Sequence, residues 1–151
     1  MWAAKWSVAR RVDRDIVAHR ILSLNESLQN LAGAHATDAT RLRTDPMRRA
    51  AVERWLQLAI EACIDMAYHV VADRGWTPPD SARGSFLALA AHGVIAAELA
   101  DALARATSMR NVLVHDYIAI DLEQVARVVR DNLNDLRAFG AAMARLIEDD
   151  A

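Results

Sequence analysis

The ten residues 108–117 hold the densest set of reactive groups in the chain: Ser108, Arg110, Asn111, His115, Asp116 and Tyr117, with Met109 and the apolar trio Val112, Leu113 and Val114 between them. Arginine is a permanent cation whose fork of donors fits phosphate, and histidine changes charge near neutral pH. Together they suit phosphodiester chemistry without a metal. If the stretch is helical, Asn111 and His115 stand at i and i+4 on one face, with Thr107 and Ser108 a turn below. Arg110 falls beside that line, and strict helical geometry holds it well apart from His115 around the axis. The two converge through the length of the arginine side chain, through fraying at His115, or through a second copy of the site across a dimer axis.

The elements that must position this stretch can be read on either side of it. Residues 98–106 have the composition of a helix, Ile118 and Ile120 flank Ala119, and Asp121 opens a new helical pattern. The stretch is therefore expected at a helix C-terminus running into a turn, where carbonyls and side chains are free for a ligand. Upstream, a first helix is expected over 7–34, carried by Val12, Ile16, Leu22, Leu24, Leu28 and Leu31 and ended by Gly33, followed by a loop over 36–44. Asp45 as N-cap and Pro46 in the first helical position start a helix over 46–72. From Trp55 to Val71 it is apolar around nearly its whole circumference, which puts it at the centre of the fold.

The breakers Gly75, Pro78 and Pro79, with Asp80 or Ser81 as cap, precede a short helix over 81–92 that gives way at Gly93. A third long helix over 96–115 aligns Leu99, Leu103, Ala106, Met109 and Leu113, and a last one over 121–147 begins with Asp121 and Gln124 in capping-box spacing. The expectation is one all-α domain over 1–151, an up-and-down helical bundle of four main helices plus a short one. A chain of 151 residues, rich in alanine, leucine and arginine and poor in aromatics, fits that class.

On the central helix Gln57, Glu61, Asp65 and His69 recur every fourth residue as a polar line. A buried carboxylate is costly unless paired, so Glu61 and Asp65 either reach solvent or meet a cation such as Arg110. The net charge of -2 is uneven: residues 1–54 carry ten Lys/Arg and six Asp/Glu, whereas 55–151 carry eight and fourteen. Arg10, Arg11, Arg14, Arg41, Arg43, Arg48 and Arg49 form either a basic face that attracts RNA phosphates or an ordinary solvated exterior. The apolar run over 87–104 is interrupted by His92, Glu98 and Asp101, too early for a membrane span, and the N-terminal residues lack the apolar core of a signal peptide, so the cytoplasm is expected. Cys63 reads as a small buried hydrophobe. His19, His35, His69 and His92 lack metal-site spacing, and there is no Gly-rich phosphate loop, serine elbow or recognisable Cys–His pair. No cofactor is expected.

The pattern Arg110-x4-His115-x-Tyr117 resembles the Arg-x4-His-x-Tyr signature of the HepT-like toxins in the HEPN superfamily of helical ribonucleases. The string Arg-Asn-Val-Leu-Val-His-Asp-Tyr over 110–117 is similar to that family almost residue for residue. Asp45-Pro46, the segment 52–62, the turn 75–79, Gly93-Val94-Ile95 before Leu99, and Ile120-Asp121 follow the family's order along most of the chain.

The resemblance implies a HEPN-like fold, a homodimer whose two motif helices line a shared cleft, and a metal-independent endoribonuclease acting through the RNA's own 2′-hydroxyl. In that reading His115 and Arg110 are catalytic, with Asn111 in support; Asp65 and Glu61 join them in support if the polar line of the central helix meets Arg110. It also implies a type VII toxin–antitoxin pair, in which a minimal nucleotidyltransferase of the MntA type attaches AMP to Tyr117 and so switches the toxin off. Tyr117 is then also a possible RNA contact. The alternatives are a non-catalytic HEPN helical partner that keeps the AMP-accepting tyrosine, and a nucleotide-binding subunit of a nucleotidyltransferase complex.

Overall fold

A computed structural model describes residues 2–115 and 120–150, with side chains from Arg14 onward along the first helix. The expected roles of Val12, Arg10 and Arg11 as side chains, and of Asp116 and Tyr117, lie outside the described residues. Six helices follow one another: α1 (Trp2–Gly33), α2 (Ala39–Thr44), α3 (Pro46–Asp73), α4 (Ala82–Ala91), α5 (Ala97–His115) and α6 (Leu122–Asp149). No strand occurs among the described residues. No helix there is long and apolar enough to cross a membrane.

The four long helices and α4 stand where the sequence puts them, while α2 replaces part of the loop expected over 36–44. The Asp38 carboxylate accepts the Thr40 N–H at 2.9 Å to start it, and Ala39 and Leu42 are buried beneath it. A helix this short has almost no periodicity to read and is held by tertiary burial. Asp45 then serves both neighbours. Its N–H donates to the Arg41 carbonyl at 3.1 Å to close α2, and its carboxylate accepts the Arg48 N–H at 3.0 Å to open α3, with Pro46 in the first turn.

α3 is the centre of the bundle, in contact with each of the other five helices. Val52, Leu56, Ile60, Cys63, Met66 and Ala67 are buried along it. On α1 the buried stripe runs through Val17, Leu24, Leu28 and Leu31, with Ile21 packed against it, and Leu22 is 68% exposed. The expectation for Leu22 is thus corrected: spacings of four and three residues from Val17 pass through Ile21 and leave Leu22 on the outer side. Phe86 of α4 meets Phe139 of α6 edge to face, ring centroids 5.4 Å apart, joining those helices in the core.

Two links fix the direction of the helices. Arg74, at the C-cap of α3, donates to both carboxylate oxygens of Asp150, at the C-cap of α6, at 2.9 Å, so these helices end together. Arg43 of α2 stands 3.9 Å from Glu123 in the first turn of α6. α2, the start of α3, the end of α5 and the start of α6 therefore share one end of the bundle.

At the opposite end α3 and α4 close with the same device. Gly75 (φ 68°) and Gly93 (φ 75°) take left-handed backbone, and the following N–H groups, of Trp76 and Val94, reach back to the carbonyls of Val71 and Leu89 at 3.1 and 2.9 Å. For α6, Asp121 caps the Glu123 N–H at 3.0 Å. Of the expected capping box this is one half: among the described residues there is no return bond from Gln124.

Candidate active site

α5 carries the reactive stretch and stays helical through His115, its last residue. Fraying at His115 therefore does not bring the imidazole to Arg110. The burial pattern sorts the stretch into two sides. Leu103, Thr107, Met109 and Leu113 are buried, and Thr107 spends its hydroxyl locally by donating to the Ala104 carbonyl at 2.6 Å. Arg105, Ser108, Asn111 and His115 are exposed, so Asn111 and His115 share the open face as their spacing requires.

Arg110 falls on the buried side of the helix, between Leu113 and Thr107 around the axis, and is itself half-buried. Its Nε is buried and has no hydrogen-bond partner among the described residues. An unanswered buried donor costs about 1–3 kcal/mol, and each such group calls for an explanation. Five positions apart on a continuous helix, Arg110 and His115 lie about 140° apart around the axis and about 7.5 Å apart along it. Of the expected routes to convergence, the reach of the arginine side chain and a second copy of the helix are left.

The proposed supporting carboxylates are engaged elsewhere. Asp65 pairs with Arg20 of α1 at 3.3 Å, and Glu61 accepts from Gln57 Nε2 at 3.0 Å. The cation that meets Asp65 is thus Arg20, not Arg110. Sequence could not have found it, because the pair is made by packing α1 along α3. Gln57, Glu61, Asp65 and His69 are all half-buried, which is the thin polar line expected of them.

The early basic residues whose side chains are described do not make one continuous face. Arg48 pairs with Asp45 at 3.5 Å and Arg49 with Glu53 at 2.9 Å, while Arg14 lies far up α1 from Arg41 and Arg43. Cys63 is wholly buried, and burial pushes its thiol up, so it stays protonated and inert. Among the described residues no three His, Cys, Asp or Glu side chains gather as a metal site.

Comparison with known proteins decides the family. The family described as "Ribonuclease HepT-like" matches residues 21–143, which span α1 from Ile21 to Met143 of α6 and include the whole of α5. The chain belongs to the HepT-like ribonuclease family. It is 31% identical over 125 residues to the mRNA nuclease HepT of Shewanella oneidensis, covering 83% of this chain and 93% of that protein. It superposes with a TM-score of 0.80 on a solved structure, 30% identical, of the tri-AMPylated HEPN toxin of Shewanella oneidensis in complex with MNT antitoxin, covering 87% of this chain and 98% of that one. YutE, a cytosolic protein of unknown function from Bacillus subtilis, shares the fold with a TM-score of 0.81 at 19% identity, over 91% of this chain and 92% of that one. The HEPN-like helical bundle expected from the sequence is the observed fold of this HepT-like chain.

Proposed function

We propose that this chain is the endoribonuclease toxin of a type VII, HepT/MntA-like toxin–antitoxin pair, that it works without metal, and that it acts in the cytoplasm as a homodimer. The reading is carried by the buried Nε of Arg110, without a hydrogen-bond partner among the described residues, set on the helix whose exposed face ends at His115. A phosphate oxygen supplies the missing acceptor, and a permanent cation supplies the charge. In the reaction the 2′-oxygen of the RNA attacks the adjacent phosphorus as the bond to the 5′-oxygen breaks. His115 accepts the 2′-hydroxyl proton or donates one to the departing 5′-oxygen, a role that contributes about 10² to 10⁴ in rate. Arg110 holds the phosphate and stabilises the extra charge of the transition state. Asn111, one turn before His115 on the same face, orients the imidazole or the phosphate.

The homodimer is carried over from the family likeness: with Arg110 and His115 about 140° apart around α5, a second copy of the chain can supply the missing group of each site. The relative named HEPN toxin is AMPylated and complexed with an MNT antitoxin. By that likeness this chain's partner is a minimal nucleotidyltransferase and its modified residue Tyr117, two positions after His115. A bulky anion there blocks RNA by occlusion and like-charge repulsion. The test is cleavage of a labelled RNA by the pure protein in excess chelator, repeated after treatment with ATP and the transferase. Fragments ending in a 2′,3′-cyclic phosphate, suppressed by the treatment but not in Tyr117→Phe, are expected. Cleavage that needs an added metal ion, or suppression that persists in Tyr117→Phe, would overturn the corresponding part.

A further inference from the structure

The segment 55–151 is acidic overall, yet α6 segregates its charge. Arg127, Arg130, Arg137 and Arg145 are all exposed, and at 100° per residue they fall within about 80° of arc along one outer stripe. Asn134, Ala138 and Ala141 complete the stripe between them, and the helix's acids sit at its two ends or on its flanks. The stripe runs roughly 27 Å at 1.5 Å per residue. Its beginning lies at the end of the bundle where α5 stops, and there Glu123 is faced by Arg43 of α2 at 3.9 Å.

A merely solvated helix face is usually laced with opposite charges three or four residues apart. Arg137 has no carboxylate at either spacing and is left to donate to Asn134 Oδ1 at 2.9 Å. Arg127 and Arg130, three apart, repel each other, with Asp131 beside Arg130 at 3.2 Å. Arg127 and Arg145 do have acids three or four residues away, Glu123 and Asp131, Glu148 and Asp149, but among the described residues neither closes an ion pair with them.

At its far end the stripe enters a groove of about 560 Å³, lined among others by Arg74, Trp76, His92, Val94, Arg145 and Asp149. Here the charge is nearly balanced, since Arg74 is taken by Asp150. What the groove offers is a ring platform: Trp76 and His92 are stacked, centroids 3.7 Å apart and planes 10° from parallel. The His92 Nδ1 meets the Ala88 carbonyl at 2.9 Å, which fixes the exposed ring in place. A line of cations leading to a stacked aromatic step is the combination that holds single-stranded nucleic acid, phosphates on the cations and a base on the ring.

We propose that the outer stripe of α6 and the distal groove form an exosite that tracks the backbone of single-stranded RNA leading away from the cleavage site, with a base stacked against His92. The proposal rests on the ribonuclease reading for its ligand but makes a separate demand, that RNA length be read on α6.

The test uses the full-length protein with His115→Ala to prevent cutting, and fluorescent single-stranded RNA of 16 and 4 nucleotides, followed by polarisation over a range of salt. For single strands each phosphate contact adds about -0.7 to the slope of log affinity against log salt. The variant R127Q/R130Q/R137Q/R145Q is expected to lose about 3 from the slope for the 16-mer. Its affinity should fall about tenfold or more at low salt, with little change for the 4-mer. His92→Ala should weaken the 16-mer about fivefold or more at unchanged slope. All the altered residues are exposed, and an unchanged thermal melt certifies the fold. The control R54Q/R83Q, exposed cations on α3 and α4, should leave the slope alone.

An unchanged slope in the quadruple variant, or an equal loss per charge in the control, overturns the exosite. So does intact RNA binding with lost capture of the nucleotidyltransferase, which would give α6 to the protein partner. RNA that binds along α6 but is never cut by the unmutated protein would instead sink the nuclease reading and leave the exosite standing.

Discussion

At the scale of the residue, Arg110 is the side chain whose position is hardest to explain by folding alone. A buried donor without a partner lowers stability, and substitution by an apolar group of similar length removes that cost. Arg110→Met is therefore expected to raise stability by about 1 kcal/mol, a rise of roughly 2–4 °C in melting temperature, while abolishing RNA cleavage. An arginine there for structure would give the opposite thermal shift, which differential scanning calorimetry reads directly. Asp65 makes the contrary case. Its pair with Arg20 is a little over two-fifths exposed on both sides, and pairs of that kind contribute under about 1 kcal/mol. Asp65→Ala is expected to change stability by no more than that and to leave the cleavage rate as it was; a rate loss with an unchanged melt would return Asp65 to the site. The motif itself was legible because Arg110, Asn111 and His115 are local in sequence, and a helix turns local spacing into a shared face. Arg20 was not legible as the partner of Asp65, because they stand 45 positions apart in the chain and only packing brings them together.

At the scale of the element, the bundle depends on how closely α6 approaches α1. A Cβ added at Gly140 would stand 2.9 Å from Leu24 Cδ2, and Leu24 is fully buried with little room to retreat. Overpacking of this sort costs about 1–3 kcal/mol, against about 1 kcal/mol gained by replacing a mid-helix glycine with alanine. Gly140→Ala should therefore be destabilising by roughly 1 kcal/mol, read as a lower urea midpoint at unchanged slope; a higher midpoint would mean that α1 yields freely. The helix starts were readable from caps whose chemistry is local: Asp45 before Pro46, Ser81 before α4 and Asp121 before α6 each accept an early N–H as expected. Spacing alone is silent where tertiary burial decides. α2 is too short to announce itself, and Leu22, apolar and at loose helical spacing, resembles core although the buried stripe runs through Val17, Leu24 and Leu28.

At the scale of the whole molecule, the separation of Arg110 from His115 around α5 makes the proposal of a two-chain site open to a quantitative test. If each site takes its arginine from one chain and its histidine from the other, an Arg110→Ala chain paired with an His115→Ala chain rebuilds one intact site of two. Random mixing of two inactive variants should then recover about a quarter of the unmutated activity, since half of the dimers are mixed. Recovery of nothing would place the arginine and histidine of one chain at one phosphate. Charge at this scale was poorly legible, since net counts over segments favoured the early arginines, several of which are locally paired, and hid the exposed line on α6 inside an acidic half.

The account stands most directly on the cleavage rate in excess chelator, under single-turnover conditions, for the unmutated protein, Arg110→Ala and His115→Ala prepared identically. It predicts RNA fragments with 2′,3′-cyclic phosphate ends from the unmutated protein and a loss of about 10² or more in rate from either substitution. Equal rates in all three preparations, or cleavage only when a metal ion is restored, would contradict it.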